Sequence, residues 1–230
     1  MSGALYTVEK PCGVCEKNVT VTKVRSRLVM DSQDSDFCSH FKDFNPYYYT
    51  VWVCPHCGYA ATETDFVQVT STSRKKIAAF LEGRAVNVNF GGDRNSDQAI
   101  ATYKLALFYA ELGDFAASKL AGLYLKLGWL YREIGHQEEE KQALNKAREY
   151  YQKSMEKERA PFGGLSDTAA CYLVGELSRR VGDIETALLW LGKVVGSPQA
   201  KLEPRVLNLA RDAWHEARAA RNPGAAATAE

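Results

Sequence analysis

The amino-acid sequence predicts an α+β protein, mainly α, in which a small N-terminal β-rich four-cysteine module precedes an antiparallel helical solenoid. Three observations carry this expectation. Two Cys-x-x-Cys pairs, Cys12/Cys15 and Cys54/Cys57, lie among short β-branched segments broken by Gly, Pro, Asn and Asp. Beyond about residue 90 the apolar residues recur with a helical period. Glycines then fall where helical runs end, in ELGDF (111–115), EIGHQ (133–137) and RVGDI (180–184).

Taken in order, the chain offers strand segments at 18–25 (NVTVTKVR), 47–53 (YYYTVWV) and 65–69 (DFVQV). In 47–53, strand alternation puts Tyr47, Tyr49, Val51 and Val53 on one face and Tyr48, Thr50 and Trp52 on the other, so both faces are largely apolar. One face suits the ribbon's own core, and the other suits cover by the helical half. TSTSRKKIAAFLEG reads as a helix capped by Ser or Thr and stopped by Gly83, and Gly91-Gly92 follows as a hinge. The expected organisation is therefore a metal-binding module with its connecting helix at 1–90, a helical domain at 91–222 and a disordered tail at 223–230. Helices are expected near 96–112, 115–134, 137–159, 167–181, 184–195 and 203–220. The last of these lines up Val206, Ala210, Ala213, Trp214 and Ala217 as one apolar stripe.

Composition sets the bounds. With 230 residues there is enough chain for a substantial core, and 29 Lys plus Arg against 28 Asp plus Glu give a net charge of +1, so a polyanion is not the default partner. The first ten residues lack the pattern of a secretory signal, and no window resembles a membrane span. A cytoplasmic protein with no membrane partner is the expectation. In that compartment Cys12, Cys15, Cys38, Cys54, Cys57 and Cys171 stay reduced, and paired Cys-x-x-Cys motifs favour metal over disulfides.

Two knuckles of identical spacing can each present two thiolates about 3.7 Å apart, the separation required around a tetrahedral ion with metal–sulfur bonds of about 2.3 Å. Gly13, Pro55 and Gly58 help the backbone turn its amides toward the sulfurs. Cys-Pro-His-Cys is also a redox dipeptide context, but a redox motif opens a helix, and Gly58 followed by ATETDFVQV opposes one. The second pair decides for a structural metal site with Cys12, Cys15, Cys54 and Cys57 as ligands. Zn²⁺ is favoured; a lone iron is the alternative, since CPxCG resembles the rubredoxin knuckle. Cys38, His40 and His56 could each replace a cysteine, yet the set of four is already complete, and they read as surface His and half-buried Cys.

The helical half contains two pairs that resemble tetratricopeptide repeats. In one, Leu127-Gly128-x-x-Tyr131 leads to Gly135 and then to Ala147 and Tyr151, several residues late; in the other, Val174-Gly175 leads to Gly182, Ala187 and Leu191 at standard offsets. In a stacked solenoid, Leu125, Trp129, Arg132, Tyr172, Glu176 and Arg179 would face a concave peptide-binding side. The packing alternative is preferred: Trp129 and Tyr172 as core, and Glu176 with Arg180 as an ordinary i,i+4 pair. The acids of HQEEEK suit a helix's first turn, and Lys23, Arg25 and Arg27 read as a solvated strand face.

VWVCPHCGYA preceded by DFCSHFKDFNPYYY, then YKLAL, ASKLAGLYLKLGWLYRE, YLVGELSRRVGD and LARDAWHEA, together resemble the bacterial Domain of Unknown Function 2225 family over nearly the whole chain. The resemblance implies a zinc-ribbon-like N-terminal module, tetratricopeptide-like helices and a cytoplasmic bacterial protein, with no assigned reaction. The residues add no catalytic signature: GxSxG, a phosphate-binding glycine loop and HExxH are absent, and His40, His56, His136 and His215 are scattered. The leading functional expectation is a non-catalytic adaptor for an unidentified protein or peptide. A nucleic-acid-associated factor and an iron-thiolate electron carrier are the alternatives.

Overall fold

The computed structural model describes residues 3–42, 44–84, 86 and 88–222. The tail expected at 223–230 lies outside the described residues. The fold is α+β and mainly α, and among the described residues the small antiparallel strands lie in the first part of the chain. Contacts group it into two compact units. One contains residues up to 34, 38–115 and 129–137; the other contains 35–37, 116–128 and the chain from 138 onward.

The first unit holds three two-stranded ribbons. Strand β1 (Leu5–Pro11) pairs with β2 (Asn18–Val24), Leu5 opposite Val24 and Pro11 opposite Asn18. Strand β3 (Met30–Gln33) pairs with β4 (Ser39–Phe41), and β5 (Val51–Val53) with β6 (Ala60–Thr62). Helices α1 (Glu63–Val67), α2 (Ser71–Leu81) and α3 (Ser96–Leu112) follow. Thr70 caps α2 by accepting from the Ser73 amide at 3.2 Å, while Asn95 and Gln98 close a reciprocal capping box on α3. Helix α3 packs on β5 and β6. Beneath it Trp52 meets Phe66 edge-on at 5.7 Å, and Tyr59 lies between Phe66 at 5.8 Å and Tyr109 at 5.5 Å. This aromatic core seats the cysteine-bearing β5–β6 turn.

Two expected strands are corrected. Only Val51–Val53 of 47–53 is extended; Pro46–Tyr49 forms a 3₁₀ turn that Asn45 starts by accepting from the Tyr47 amide at 2.9 Å. Asn-Pro chemistry thus overrides the β propensity of the tyrosines, and the predicted alternation of faces applies only to Val51–Val53, all of which are buried. Residues 65–69 are expected as strand, but 63–67 form α1. Glu63 and Asp65 lie in its first turn, where the helix dipole favours acids, and Thr62 Oγ1 donates to Asp65 Oδ2 at 3.2 Å.

In the second unit the helices fall close to where periodicity and glycine place them. These are the first three turns of α4 (Ala117–Glu133), all but the first residue of α5 (Gln137–Lys157), α6 (Asp167–Val181), α7 (Ile184–Gly196) and α8 (Pro204–Arg221). Helix α7 packs against both α6 and α8. Their shared core is Tyr172, Ala187, Leu191, Val194, Leu207, Ala210, Ala213 and Ala217, with Val206 and Trp214 at its edge, so the stripe expected on α8 is the face that packs.

Both helix-pair contacts turn on one glycine. A Cβ on Gly175 would lie 2.7 Å from Leu191 Cγ, and one on Gly128 would lie 2.7 Å from Leu144 Cδ2. Each leucine is sixteen residues beyond its glycine. This corrects the expectation of a stretched first pair: Leu144, at the same offset as Leu191, is the residue that fills the gap, and Ala147 and Tyr151 simply continue the buried face of α5.

Candidate metal centre

Each Cys-x-x-Cys is the turn of a hairpin. Cys12 and Cys15 lie between β1 and β2, Cys54 and Cys57 between β5 and β6. The two turns have the same hydrogen bonds. The first cysteine donates its amide five residues on, Cys12 to the Lys17 carbonyl at 3.0 Å and Cys54 to the Tyr59 carbonyl at 2.8 Å. Its carbonyl accepts four residues on, from Glu16 at 2.9 Å and from Gly58 at 2.8 Å. That fourth residue must take a left-handed backbone: φ is 62° at Glu16 and 78° at Gly58. The first knuckle also needs Gly13 for a different reason. Its amide donates to the Phe66 carbonyl at 2.8 Å, and a Cβ there would meet that oxygen at 2.8 Å.

The two turns converge. Cys12 Sγ lies 3.7 Å from Cys57 Sγ, and Cys15 Sγ lies 3.7 Å from Cys54 Sγ. All four sulfurs fall within 4.8 Å of one another, and none is in a disulfide. The cross-pair separations agree with the roughly 3.7 Å edge of a tetrahedron of sulfurs around one ion. Cys12 and Cys54 are buried, Cys15 and Cys57 half-buried.

The electrostatics of the cluster fit a cation. Hydrogen bonds from Cys12 and Cys57 push the Cys54 thiol down to about 2, helped by backbone hydrogen bonds from Cys57 and His56. Hydrogen bonding with Cys54 raises Cys12 to about 12, and hydrogen bonding with Cys12 and Cys54 drives Cys57 up as well. One thiolate is thus easy to form among the four, and each further one is opposed by the charge already present. A divalent ion held by Cys12, Cys15, Cys54 and Cys57 would remove that opposition by supplying positive charge to the thiolates. The cluster is able to hold a metal ion.

The remaining candidates separate. His56 is exposed, with Nε2 3.4 Å from the Asn18 carbonyl, and is not one of the four clustered donors. Cys38 and His40 group instead with Asp34, which the sequence suggests only as one of the acids, with Asp31 and Asp36, of a solvated loop. Burial would raise the Asp34 carboxyl, but His40 and Arg132 outweigh it and hold it below its usual range. The signal that could have found this group is Cys38-x-His40 at strand spacing, facing an acid across a hairpin.

The residues expected on a concave peptide-binding side are used inside the protein. In the first unit Trp129 is 7% exposed and packs on Tyr47 at 5.0 Å, while Arg132 Nη1 pairs with Asp34 Oδ2 at 2.8 Å. In the second, Tyr172 and Glu176 are fully buried. The Tyr172 hydroxyl donates to the Ser35 carbonyl at 2.7 Å, and Glu176 accepts from Arg179, Arg180 and Ser35. Arg179 also pairs with Glu216 at 3.0 Å. The buried side chains offer no surface to a peptide, because packing and ion pairing consume them. Among the basic residues of the β2 region, Lys23 pairs with Glu63 at 2.8 Å, and Arg25 lies over the Tyr6 ring at 5.4 Å.

Two cysteine hairpins of matching geometry, followed by helices with glycine–leucine contacts, define a four-cysteine ribbon protein with a helical remainder. The chain belongs to the family described as "Uncharacterized protein conserved in bacteria (DUF2225)", whose profile matches residues 5–217. No curated protein and no solved structure matches it.

Proposed function

We propose that Cys12, Cys15, Cys54 and Cys57 hold one structural Zn²⁺, and that the protein is a non-catalytic adaptor of the bacterial cytoplasm whose helices engage a protein or peptide partner. The observation that carries the metal reading is the 3.7 Å approach of sulfurs from two hairpins far apart in sequence. A shell of four thiolates leaves the ion no position for water, so its work is to hold the ribbons rather than to activate a substrate. Zinc is preferred to iron because it is the usual occupant of structural four-thiolate sites. Reducing conditions keep such thiols available, which favours the cytoplasm; no described helix is long and apolar enough to cross a membrane.

Support for a partner comes from the paired helices, an architecture that presents extended faces to peptides. Exposed Leu189 and Leu202, at 58% and 84%, give the second unit apolar side chains on its surface. Elemental analysis of the purified chain tests the metal reading. One zinc bound through the four cysteines, without visible colour, is expected; a red protein containing iron would replace zinc with the electron-carrier alternative.

A further inference from the structure

Residues 30–41 contain a second, smaller convergence of metal-binding side chains. Strands β3 and β4 are closed by the Asp34 amide donating to the Cys38 carbonyl at 2.8 Å. Alternation along an extended strand places Cys38 and His40 on one face, and Asp34, opposite Cys38, shares that face. An Asp34 carboxylate oxygen, the Cys38 sulfur and a His40 ring nitrogen therefore all lie within 4.8 Å of one another. His40 Nε2 and Asp34 Oδ1 are 3.0 Å apart, near the roughly 3.3 Å expected for two donors bound at about 2.0 Å to one tetrahedral ion. Asp34 Oδ2 accepts from Arg132 Nη1 at 2.8 Å, which orients the carboxylate as an outer partner orients a metal ligand.

An ion pair with Arg132 and a contact with the His40 ring nitrogen account for Asp34, His40 and Arg132. They give no reason for a thiol, 4% exposed, to share their centre. Cys38 and His40 also line a cavity of about 220 Å³ together with Tyr47, Trp129, Arg132 and Glu133. One thiolate, one imidazole and one carboxylate form a donor set suited to zinc-class ions and unsuited to calcium or magnesium. Three protein donors are also the number found where zinc keeps an exchangeable fourth position.

We infer that Asp34, Cys38 and His40 form a second metal site, binding one divalent zinc-class ion whose shell is completed by water or a small anion from the adjoining cavity. This goes beyond the structural role assigned to the four-cysteine cluster, whose shell is closed. The test is equilibrium dialysis of the full chain against Zn²⁺ under reducing conditions, with metal counted per chain. Two ions are expected for the wild type, and one for Cys38→Ser/His40→Ala. In parallel, Co²⁺ replaces Zn²⁺, and His40→Ala alone should lose the absorption of the mixed-donor site while keeping the four-thiolate bands. His40 is exposed, so this variant should keep the wild-type circular dichroism. A wild type that binds a single ion, retained by Cys38→Ser/His40→Ala and lost with Cys12→Ser, overturns the inference and leaves the four-sulfur reading standing. A single ion lost with His40→Ala and kept by Cys12→Ser sinks the four-sulfur reading instead.

Discussion

From residue 5 to residue 62 the strands run from three to seven residues and pair only as isolated two-stranded ribbons, whereas α6, α7 and α8 run 15, 13 and 18 residues around a continuous apolar core. Two-stranded ribbons are marginal in water, so backbone pairing cannot hold the cysteine hairpins by itself. Helices with a buried face carry their stability in contact area. The difference teaches that a bound ion and a packed core are alternative ways of fixing a chain: one acts at a point between hairpins, the other is spread along a face. They should therefore fail under different insults.

Removing the ion proposed for the four cysteines is the strongest way to expose the contrast. Structural zinc contributes on the order of 10–16 kcal/mol of apparent binding energy in small zinc domains. Chelation, or Cys12→Ser or Cys57→Ser, should abolish the order of the two cysteine hairpins while most of the helical far-ultraviolet signal survives. The near-ultraviolet circular dichroism contributed by the aromatic core around Trp52, Phe66 and Tyr59 should be lost with the metal, while that of Tyr172 and Trp214 in the helical core remains. Equal loss of helical and aromatic signals would show that the two regions are one cooperative unit. It would also count against a boundary near residue 90.

Legibility in the sequence follows the same division. The glycine stops at Gly135 and Gly182 adopt positive φ, as caps should, and α6 begins and ends where its pattern predicts. At Gly113 the left-handed backbone moves to Asp114, at φ 51°, while Gly113 makes room for the Phe115 ring. A local signal can mark such a stop without specifying which residue bends. Cysteine spacing likewise identifies the four cysteines that converge. It carries no information on Asp34, whose proximity to Cys38 and His40 depends on hairpin register, nor on Glu16, which takes the left-handed position that Gly58 takes in the other knuckle. Short β-rich stretches were the least legible, because Asn45-Pro46 and the acids of α1 compete with strand propensity over only a few residues.

Within the helices, the largest single-residue effect should come from Glu176. It is fully buried and accepts from Arg179, Arg180 and Ser35, so Glu176→Ala leaves Arg179 with Glu216 alone and Arg180 with the more distant Asp36, and should cost about 3 kcal/mol, the low end for a broken buried pair. Denaturant unfolding followed by helical signal checks this; a loss below 1 kcal/mol would place the stability in apolar contacts alone. Gly175→Ala comes next. Its added methyl would crowd both the Leu191 side chain at 2.7 Å and the Leu191 amide at 3.1 Å, and overpacking of this kind costs about 1–3 kcal/mol. A smaller loss at the matching Gly128→Ala is expected, since there the nearest atoms are side-chain carbons of Leu144 and Ala143, which can shift.

The smallest effect distinguishes charge from capping at the start of α7. Asp183 Oδ1 accepts from the Thr186 amide at 3.2 Å and Oδ2 from Arg148 Nη1 at 2.6 Å; the Arg148 hydrogen bond is the main cause holding the Asp183 carboxyl below its usual value. A depressed folded-state value means that the charge stabilises the fold above the unfolded pKa of about 3.9, and that this contribution disappears as pH falls through the folded value. Asp183 is 39% exposed, so solvent screening limits the pair to about 0.5 kcal/mol. Asp183→Asn keeps an oxygen for the Thr186 amide and removes the charge. Its unfolding curve should lie below that of the wild type at pH 7 and merge with it in strong acid, where both carry a neutral cap. Because any metal release in acid would affect both proteins alike, the difference between them isolates this one carboxylate. A gap that persists unchanged at low pH would assign the whole effect to cap geometry, and the salt bridge to Arg148 would then contribute nothing to the helical region.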